Sequence, residues 1–505
     1  MLLNAEIYED ARQSRDARFD GRFFIAVLTT GIYCRPVCPV RIPKKENVQL
    51  HKSAASAAAA GFRPCLRCRP ESSPGTPAWS GSSWKVSRAL QLIDQGFLDA
   101  GSVDELASQI EVGPRQLSRL FQNHLGASPV EVAQTRRLHF AKKLIDETGL
   151  PLAEVCFAAG FGSVRRFNAV FIDTYGRSPK ELRGKSKKRA LAKANDKSLI
   201  EIKLSYRPPY DWQAMLAFLA YRAIPGVEFV NANSYGRTIS IDGSSGHFLA
   251  TFEPEKYQLN VQIYTTSTRH LYYIIDRVRS IFDLRADSAQ IDHYLAKNKL
   301  LRPMIKKFPG LRVPGCWDGF EVAVRAILGQ QITVKAASTL VARVVQRHGQ
   351  VYQSDGVKFT HVFPDVGTIA TASLQGLGIV TQRIAAIQSV ARLVENGKLS
   401  IGCTSDTDQF MQKICELKGI GEWTAHYIAM RALNDPNAFP YSDLILRRAA
   451  APAGETLSAK QLLVQSEPWQ PWRAYVVILL WRYYQFSQFS QHSQSVQTRH
   501  QDKQS

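Results

Sequence analysis

The chain carries Cys34 and Cys38 in one short run and, about thirty residues on, Cys65 and Cys68 in another. Two close cysteine pairs at that separation can converge four thiolates on one ion, and zinc is the ion that most often takes an all-sulfur site. A thiolate on zinc stays deprotonated at neutral pH and can attack an electrophilic carbon. A purely structural zinc stays open at this point. Two disulfides are disfavoured, because residues 1–20 are charged and lack the apolar core of a signal peptide, which argues for a reducing cytoplasm. Arg35, Arg41, Lys44, Lys45, Arg63, Arg67 and Arg69 crowd both pairs and suit a phosphate backbone as neighbour.

A second chemistry is signalled far downstream by Leu417-Lys418-Gly419-Ile420-Gly421-Glu422-Trp423. A Gly-x-Gly turn between two helical stretches leaves backbone N–H groups free at a helix N-terminus, where they can hold a DNA phosphate. About twenty residues later Phe439-Pro440-Tyr441-Ser442-Asp443 leads into another helical stretch, Leu444 to Ala451. Asp443 either caps that helix or offers a carboxylate to a site formed with the hairpin.

The elements that must position these residues come in blocks. A chain of 505 residues is too long for one ordinary core, and 45% hydrophobic residues favour globular folding. The net charge of +21 calls for a polyanionic partner. The longest strongly apolar run, Val476 to Leu480, is far too short to cross a membrane. Nucleic acid is therefore the expected partner, and no membrane is. Cys156, Cys316, Cys403 and Cys415 lack ligand spacing and read as small core residues. Glu71 to Ser83 and the lysine-rich Arg183 to Lys197 read as linkers, and the Gln/Ser/His-rich segment 485–505 as a disordered tail.

The expected fold class is multidomain. It comprises a small zinc-bound α+β domain over 1–75, an all-α tandem helix-turn-helix domain over 84–183, a small α+β (TATA-binding-protein-like) module over 199–285, and an all-α helix-hairpin-helix domain over 286–484. In the second block Gly126-Ala127-Ser128-Pro129 returns as Gly176-Arg177-Ser178-Pro179, and Leu117 to Phe121 returns as Phe167 to Phe171. Each copy reads as helix, turn and second helix, a pattern whose second helix enters a major groove. Arg115, Gln116, Arg119 and Asn123 in the first copy, and Arg165, Arg166 and Asn168 in the second, would read DNA. In the third block, Thr238 to Ile241 and Tyr257 to Ile263 alternate as strands, and Tyr210 to Ile224 reads as a helix.

These residues carry three resemblances. Thr29 to Pro36, with Glu46-Asn47-Val48 and Ala60 to Cys65, is similar to the N-terminal domain of the Ada family. That resemblance implies repair of methylphosphotriesters by irreversible transfer of the methyl group to the first cysteine, here Cys34. The tandem pattern, with Ala158 to Ser163, resembles the AraC-type regulators, which implies promoter DNA and RNA polymerase as partners. From Leu199 onward the chain resembles the AlkA-type helix-hairpin-helix glycosylases, through Gly310 to Gly315, Arg325 to Gln331, the 417–425 hairpin and Pro471 to Tyr475. This implies hydrolytic excision of 3-methyladenine and other alkylated bases from double-stranded DNA. Asp443 would be the catalytic aspartate, Trp423, Tyr427 and Trp481 the lining of the base pocket, and Gln330, Gln331, Gly419 and Gly421 the contacts to DNA. Gln331 departs from the family pattern, which has a leucine wedge there. A lyase would place its Schiff-base lysine just after the hairpin glycines, where this chain has Trp423. The rival reading is an AraC-type activator whose glycosylase-like half only binds DNA.

Overall fold

A computed structural model describes residues 5–74, 84–183, 199–354, 359–402, 406–452 and 454–501. The chain forms two compact units. The first gathers Met1–Pro208, Gly226–Asp287 and Val351–Val362, and the second Pro209–Pro225, Ser288–Gln350 and Phe363–Ser505. The expected boundary near residue 285 is therefore not a single cut. The Trp212–Ala220 helix, assigned from sequence to the α+β module, belongs to the second unit.

In the first unit, β1 (Phe24–Val27), β2 (Ile32–Cys34), β3 (Val48–His51) and β4 (Arg63–Pro64) form a sheet in the order β3-β1-β2-β4. The β2–β4 pairing is parallel, with Tyr33 opposite Pro64. That register, extended by the Cys65 N–H bond to the Tyr33 carbonyl at 3.0 Å, carries the second cysteine pair to the first. The Ala54–Ala59 helix, closed at its start by a Ser53–Ser56 capping box, buries Ala55, Ser56 and Ala57.

The tandem repeat becomes two helix pairs, Val103–Gln109 with Pro114–Leu125 and Leu152–Ala158 with Val164–Tyr175. The recurring Gly-x-Ser-Pro is a stop-and-start signal. Gly126 and Gly176 end the second helix of each pair at φ of +68° and +63°, which favours glycine. Ser128 then opens the long Pro129–Glu147 helix through a capping box with Glu131, and Ser178 pairs with Glu181 in the same way.

The four-cysteine domain packs on that long helix. Tyr33, next to Cys34, hydrogen-bonds His139 at 2.8 Å. Burial holds His139 down at about 4, so it stays neutral. Ser53 Oγ donates to the Leu125 carbonyl at 2.7 Å, and Arg69 reaches Asp146 at 3.0 Å and Glu147 at 3.3 Å. Glu71, expected to begin a flexible linker, is instead buried in a short 3-10 turn, Pro70–Ser72, beside Arg69 and Lys142. Its carboxylate is needed there to offset cations taken out of water. Residues 75–83 and 184–198 of the two expected linkers lie outside the described residues.

The α+β module contributes β5 (Leu199–Ser205), β6 (Glu228–Val230), β7 (Ser234–Ile241), β8 (Ser244–Glu253) and β9 (Gln258–Tyr264), an antiparallel sheet in the order β5-β9-β8-β7-β6. Ile200, Ile202 and Leu204 alternate inward on β5, as Leu259, Val261 and Ile263 do on β9.

The second unit is predominantly helical. Its Gly319–Leu328 helix buries nine of its ten residues, which is why Phe320-Glu321-Val322-Ala323-Val324 lacks a polar stripe. Trp212 and Trp317 are core residues. Cys156 and Cys316 are buried as expected, Cys415 is half-buried, and Cys403 lies outside the described residues. The closing helix runs Arg473–Gln501, so the segment expected to be a disordered tail is helical as far as Gln501. That segment holds no glycine or proline after Pro471, so nothing local interrupts the helix. No helix among the described residues is long and apolar enough to cross a membrane.

Candidate functional site

The Cys34, Cys38, Cys65 and Cys68 sulfurs all lie within 4.8 Å of one another, and all four residues are buried. Each pair sits on a tight turn. The Cys38 N–H bonds the Arg35 carbonyl at 3.1 Å, and the Arg69 N–H bonds the Cys65 carbonyl at 3.1 Å. Crowded sulfurs share protons: hydrogen bonding to the other cysteines pushes Cys34 and Cys68 up, while Cys38 falls to about 7 and Cys65 falls well below the usual thiol range. Such a set cannot carry four thiolates without a cation among them. The donor set fits zinc, which would be held by these four residues and would keep their sulfurs deprotonated.

The surrounding cations divide into two groups. Arg35, expected to face phosphate, is bound to Asp20, with Nε donating to Oδ1 at 2.9 Å, and its Nη1 donates to the Cys68 carbonyl at 3.0 Å. Arg69 is likewise consumed by Glu71, Asp146 and Glu147. Buried acids in the fold claim both, a competition invisible in local sequence. Arg41, Lys44, Lys45, Arg63 and Arg67 remain exposed.

The second centre is built on Asp443. It caps the Leu444–Ala449 helix, its Oδ1 accepting from the Leu446 N–H at 3.0 Å. The same carboxylate accepts from the Trp423 indole at 3.0 Å and the Trp481 indole at 3.3 Å. The two readings of Asp443 are thus compatible, because the cap fixes the carboxylate while the indoles aim it. Trp423 stacks on Tyr427 with ring centroids 5.4 Å apart and planes 8° from parallel, and Tyr427 lies 6.4 Å from Trp481. The three aromatics predicted to line a base pocket are therefore together around the predicted aspartate.

Tyr427 has a support that sequence reasoning missed. Arg431, one turn later on the Glu422–Ala432 helix, donates to its hydroxyl at 2.8 Å. Burial raises the phenol, but Arg431, Arg222 and Arg325 more than offset it and bring Tyr427 down to about 8. The i, i+4 spacing of Tyr427 and Arg431 was a usable signal. Nothing local pointed to Arg222.

The hairpin precedes the Glu422–Ala432 helix as expected. Gly419 adopts φ of +92°, which a side chain would resist, and Gly421 is the exposed residue that opens the helix. Gln330, predicted to touch DNA, donates to the Gly419 carbonyl at 2.9 Å and the Thr424 hydroxyl at 3.0 Å. It positions the hairpin. Gln331 is exposed and held at φ of +54°.

In the helix-turn-helix pairs, Arg115, Gln116, Arg119 and Asn123 are all exposed on one face of the Pro114–Leu125 helix, and Leu117, Phe121 and Leu125 turn inward. Arg165 and Arg166 are exposed on the Val164–Tyr175 helix, while Asn168 is half-buried at the edge of that face.

A cysteine quartet, two helix-turn-helix pairs and a hairpin with an adjoining aspartate define a DNA-repair protein of the helix-hairpin-helix base-excision class joined to a DNA-binding regulator. Four family models match the chain in that order. They are the metal-binding domain of Ada over residues 8–71, a helix-turn-helix domain over 106–185, the AlkA N-terminal domain over 201–318, and the HhH-GPD superfamily of base excision DNA repair proteins over 324–473. The chain is 38% identical over 460 residues to the probable bifunctional transcriptional activator/DNA repair enzyme AlkA of Mycobacterium tuberculosis, covering 91% of this chain and 92% of that protein. It therefore belongs to that family, an Ada–AlkA fusion, with zinc as its cofactor and DNA as its partner. It is also 32% identical to DNA-3-methyladenine glycosylase 2 of Escherichia coli, over 48% of this chain and 85% of that protein. With AdaA of Bacillus subtilis it shares 33% identity, over 34% of this chain and 80% of that protein. Among solved structures, a 3-methyladenine DNA glycosylase from Archaeoglobus fulgidus matches with a TM-score of 0.51 and 22% identity, over 56% of this chain and 98% of that one, a likeness of fold.

Proposed function

We propose that this chain joins two repair chemistries to a transcriptional reader: methyl transfer from DNA methylphosphotriesters to Cys34, and monofunctional, hydrolytic excision of 3-methyladenine and related alkylated bases. The observation that carries the excision reading is the Asp443 carboxylate held between two indole N–H groups beside a stacked Trp423–Tyr427 pair. It also favours a working enzyme over a half that only binds DNA.

Excision begins with extrusion of the nucleotide, which costs a few kcal/mol and least for a damaged base. A purine methylated at N3 or N7 is cationic, so its glycosidic bond is already weak. Trp423, Tyr427 and Trp481 offer π faces worth about 0.5–2 kcal/mol each to such a cation. As the C1′–N bond breaks, the base leaves with the electron pair and the sugar becomes cationic. Asp443 stabilises that charge and orients the water that adds to C1′. Trp423 occupies the position of a Schiff-base lysine, which supports hydrolysis without strand cleavage. Gln331 would insert where the base departs, and the Gly419–Gly421 hairpin would hold the backbone.

At the other centre, the Cys34 sulfur attacks the methyl carbon of the triester. A C–S bond forms, the C–O bond breaks, and the phosphate oxygen keeps the electron pair. Zinc supplies the deprotonated state of the four sulfurs. Arg41, Lys44, Lys45, Arg63 and Arg67 are free of the buried acids that occupy Arg35 and Arg69, and would line the DNA backbone. Methylation removes one negative charge beside that backbone, a change of roughly tenfold in affinity when several phosphates lie in reach. The methylated protein would then bind promoter DNA and recruit RNA polymerase. Release of free 3-methyladenine from alkylated duplex, with no borohydride-trapped adduct, tests excision. An intact-mass gain of one methyl group, mapped to Cys34, tests transfer. A trapped adduct or a methyl group on another cysteine overturns the corresponding half.

A further inference from the structure

The two DNA-reading helices are related by a shift of fifty residues, and their outward faces can be compared position by position. On the first, Arg115, Gln116, Arg119, Gln122 and Asn123 are exposed and all polar. On the second, the corresponding residues are Arg165, Arg166, Ala169, Ile172 and Asp173, also all exposed. Both helices bury the same inner stripe, Leu117, Phe121 and Leu125 in one and Phe167, Phe171 and Tyr175 in the other. The register is therefore shared and only the chemistry of the outer face differs. Its centre changes from Arg119 to Ala169, and Gln122 gives way to Ile172, which is 54% exposed.

Resting on the proposal that both helices enter a major groove, we infer that the second reads thymine 5-methyl groups through Ala169 and Ile172, while the first reads guanine and adenine through its polar side chains. The major groove displays one apolar feature, the thymine methyl, and Ala and other small apolar groups are its usual contacts. Arg165 and Arg166 at the start of the face keep that end basic, as a phosphate-flanked groove requires. Asp173 follows Ile172 and disfavours close phosphate approach at the far end, so the contact centres on the second turn of the helix. A protein partner would suit an apolar face too, but the arginines and the shared register with the first helix favour DNA.

The test begins with full-length protein, untreated and pre-exposed to methylated DNA, selecting duplexes from a randomised pool. The selected site should hold thymines about one helical turn from a segment rich in guanine or adenine. Replacing those thymines by deoxyuridine removes only the methyl groups and should weaken binding by about fourfold for each contacted methyl. Ile172→Gln, an exposed change that copies the first helix, should erase that sensitivity, and Ile172→Ala should reduce it. Unchanged affinity on deoxyuridine duplexes overturns the inference while leaving the regulator reading intact. So does an Ile172→Gln protein that binds normally but loses transcriptional activation, which would assign the face to a protein partner. A pool that yields no preferred sequence overturns the regulator reading itself, and the inference with it.

Discussion

The cysteine quartet and the aspartate centre solve opposite problems. The first gathers four groups that repel one another when ionised, and it does so with residues close in sequence, on two turns joined by one strand pairing. The second keeps a single carboxylate competent among aromatic rings, using residues spread from Trp423 to Trp481. Where charge is concentrated, the fold needs a cation and spends Arg35 and Arg69 on internal acids. Where a cationic substrate is expected, the rings and indole N–H groups are arranged around one anion. On the proposed reading, a single-use acceptor and a turnover catalyst thus differ in what their surroundings must neutralise.

The sharpest way to break this comparison is to show that the two centres depend on each other. Cys34→Ser is expected to abolish methyl uptake completely, read by intact mass, while base release stays within about twofold of wild type. Stripping zinc with a chelator should likewise end methyl uptake and lower the melting temperature, because the bound metal stabilises the fold around it. Excision should continue. Parallel loss of base release in either experiment would refute independence.

Next in size, Asp443→Asn should lower excision by about 10²–10³-fold with duplex affinity nearly unchanged, read by base release and fluorescence anisotropy. Methyl uptake should be unaffected. Trp423→Phe sharpens the same point, since it keeps a stacked ring over Tyr427 and removes the indole donor to Asp443. A drop of about tenfold in kcat is expected, in line with loss of one charge-assisted hydrogen bond. A drop confined to KM would mean that the ring, not the donor, matters. The smallest effect belongs to Tyr33→Phe, which leaves His139 buried without its partner and should cost about 1–2 kcal/mol in thermal unfolding. Excision should not change.

Both centres were legible in the sequence to different depths. The cysteine spacing named its own ion, because ligands close in sequence need little more than a turn to converge. Asp443 could be placed at a helix start, but its indole partners came from resemblance, since side chains about twenty and forty residues away have no local signature. For the same reason nothing local foretold the bonds of Gln330 to Gly419 and Thr424, which lie about ninety residues on.

What the sequence by itself determined is the set of elements and the chemistry available to them. Capping boxes, left-handed glycines and helical stripes are short-range physics, and the strands, the two helix-turn-helix pairs and the hairpin follow from them. What only the tertiary structure decided is which charges are spent internally. Arg35 is taken by Asp20 and Arg69 by the acids of the Pro129–Glu147 helix, whereas Arg41 and Arg67 stay exposed. Pro209–Pro225 similarly joins the unit that resumes at Ser288 rather than the strands that flank it in the chain. Desolvation and pairing depend on distance in space, which composition and spacing along the chain do not encode.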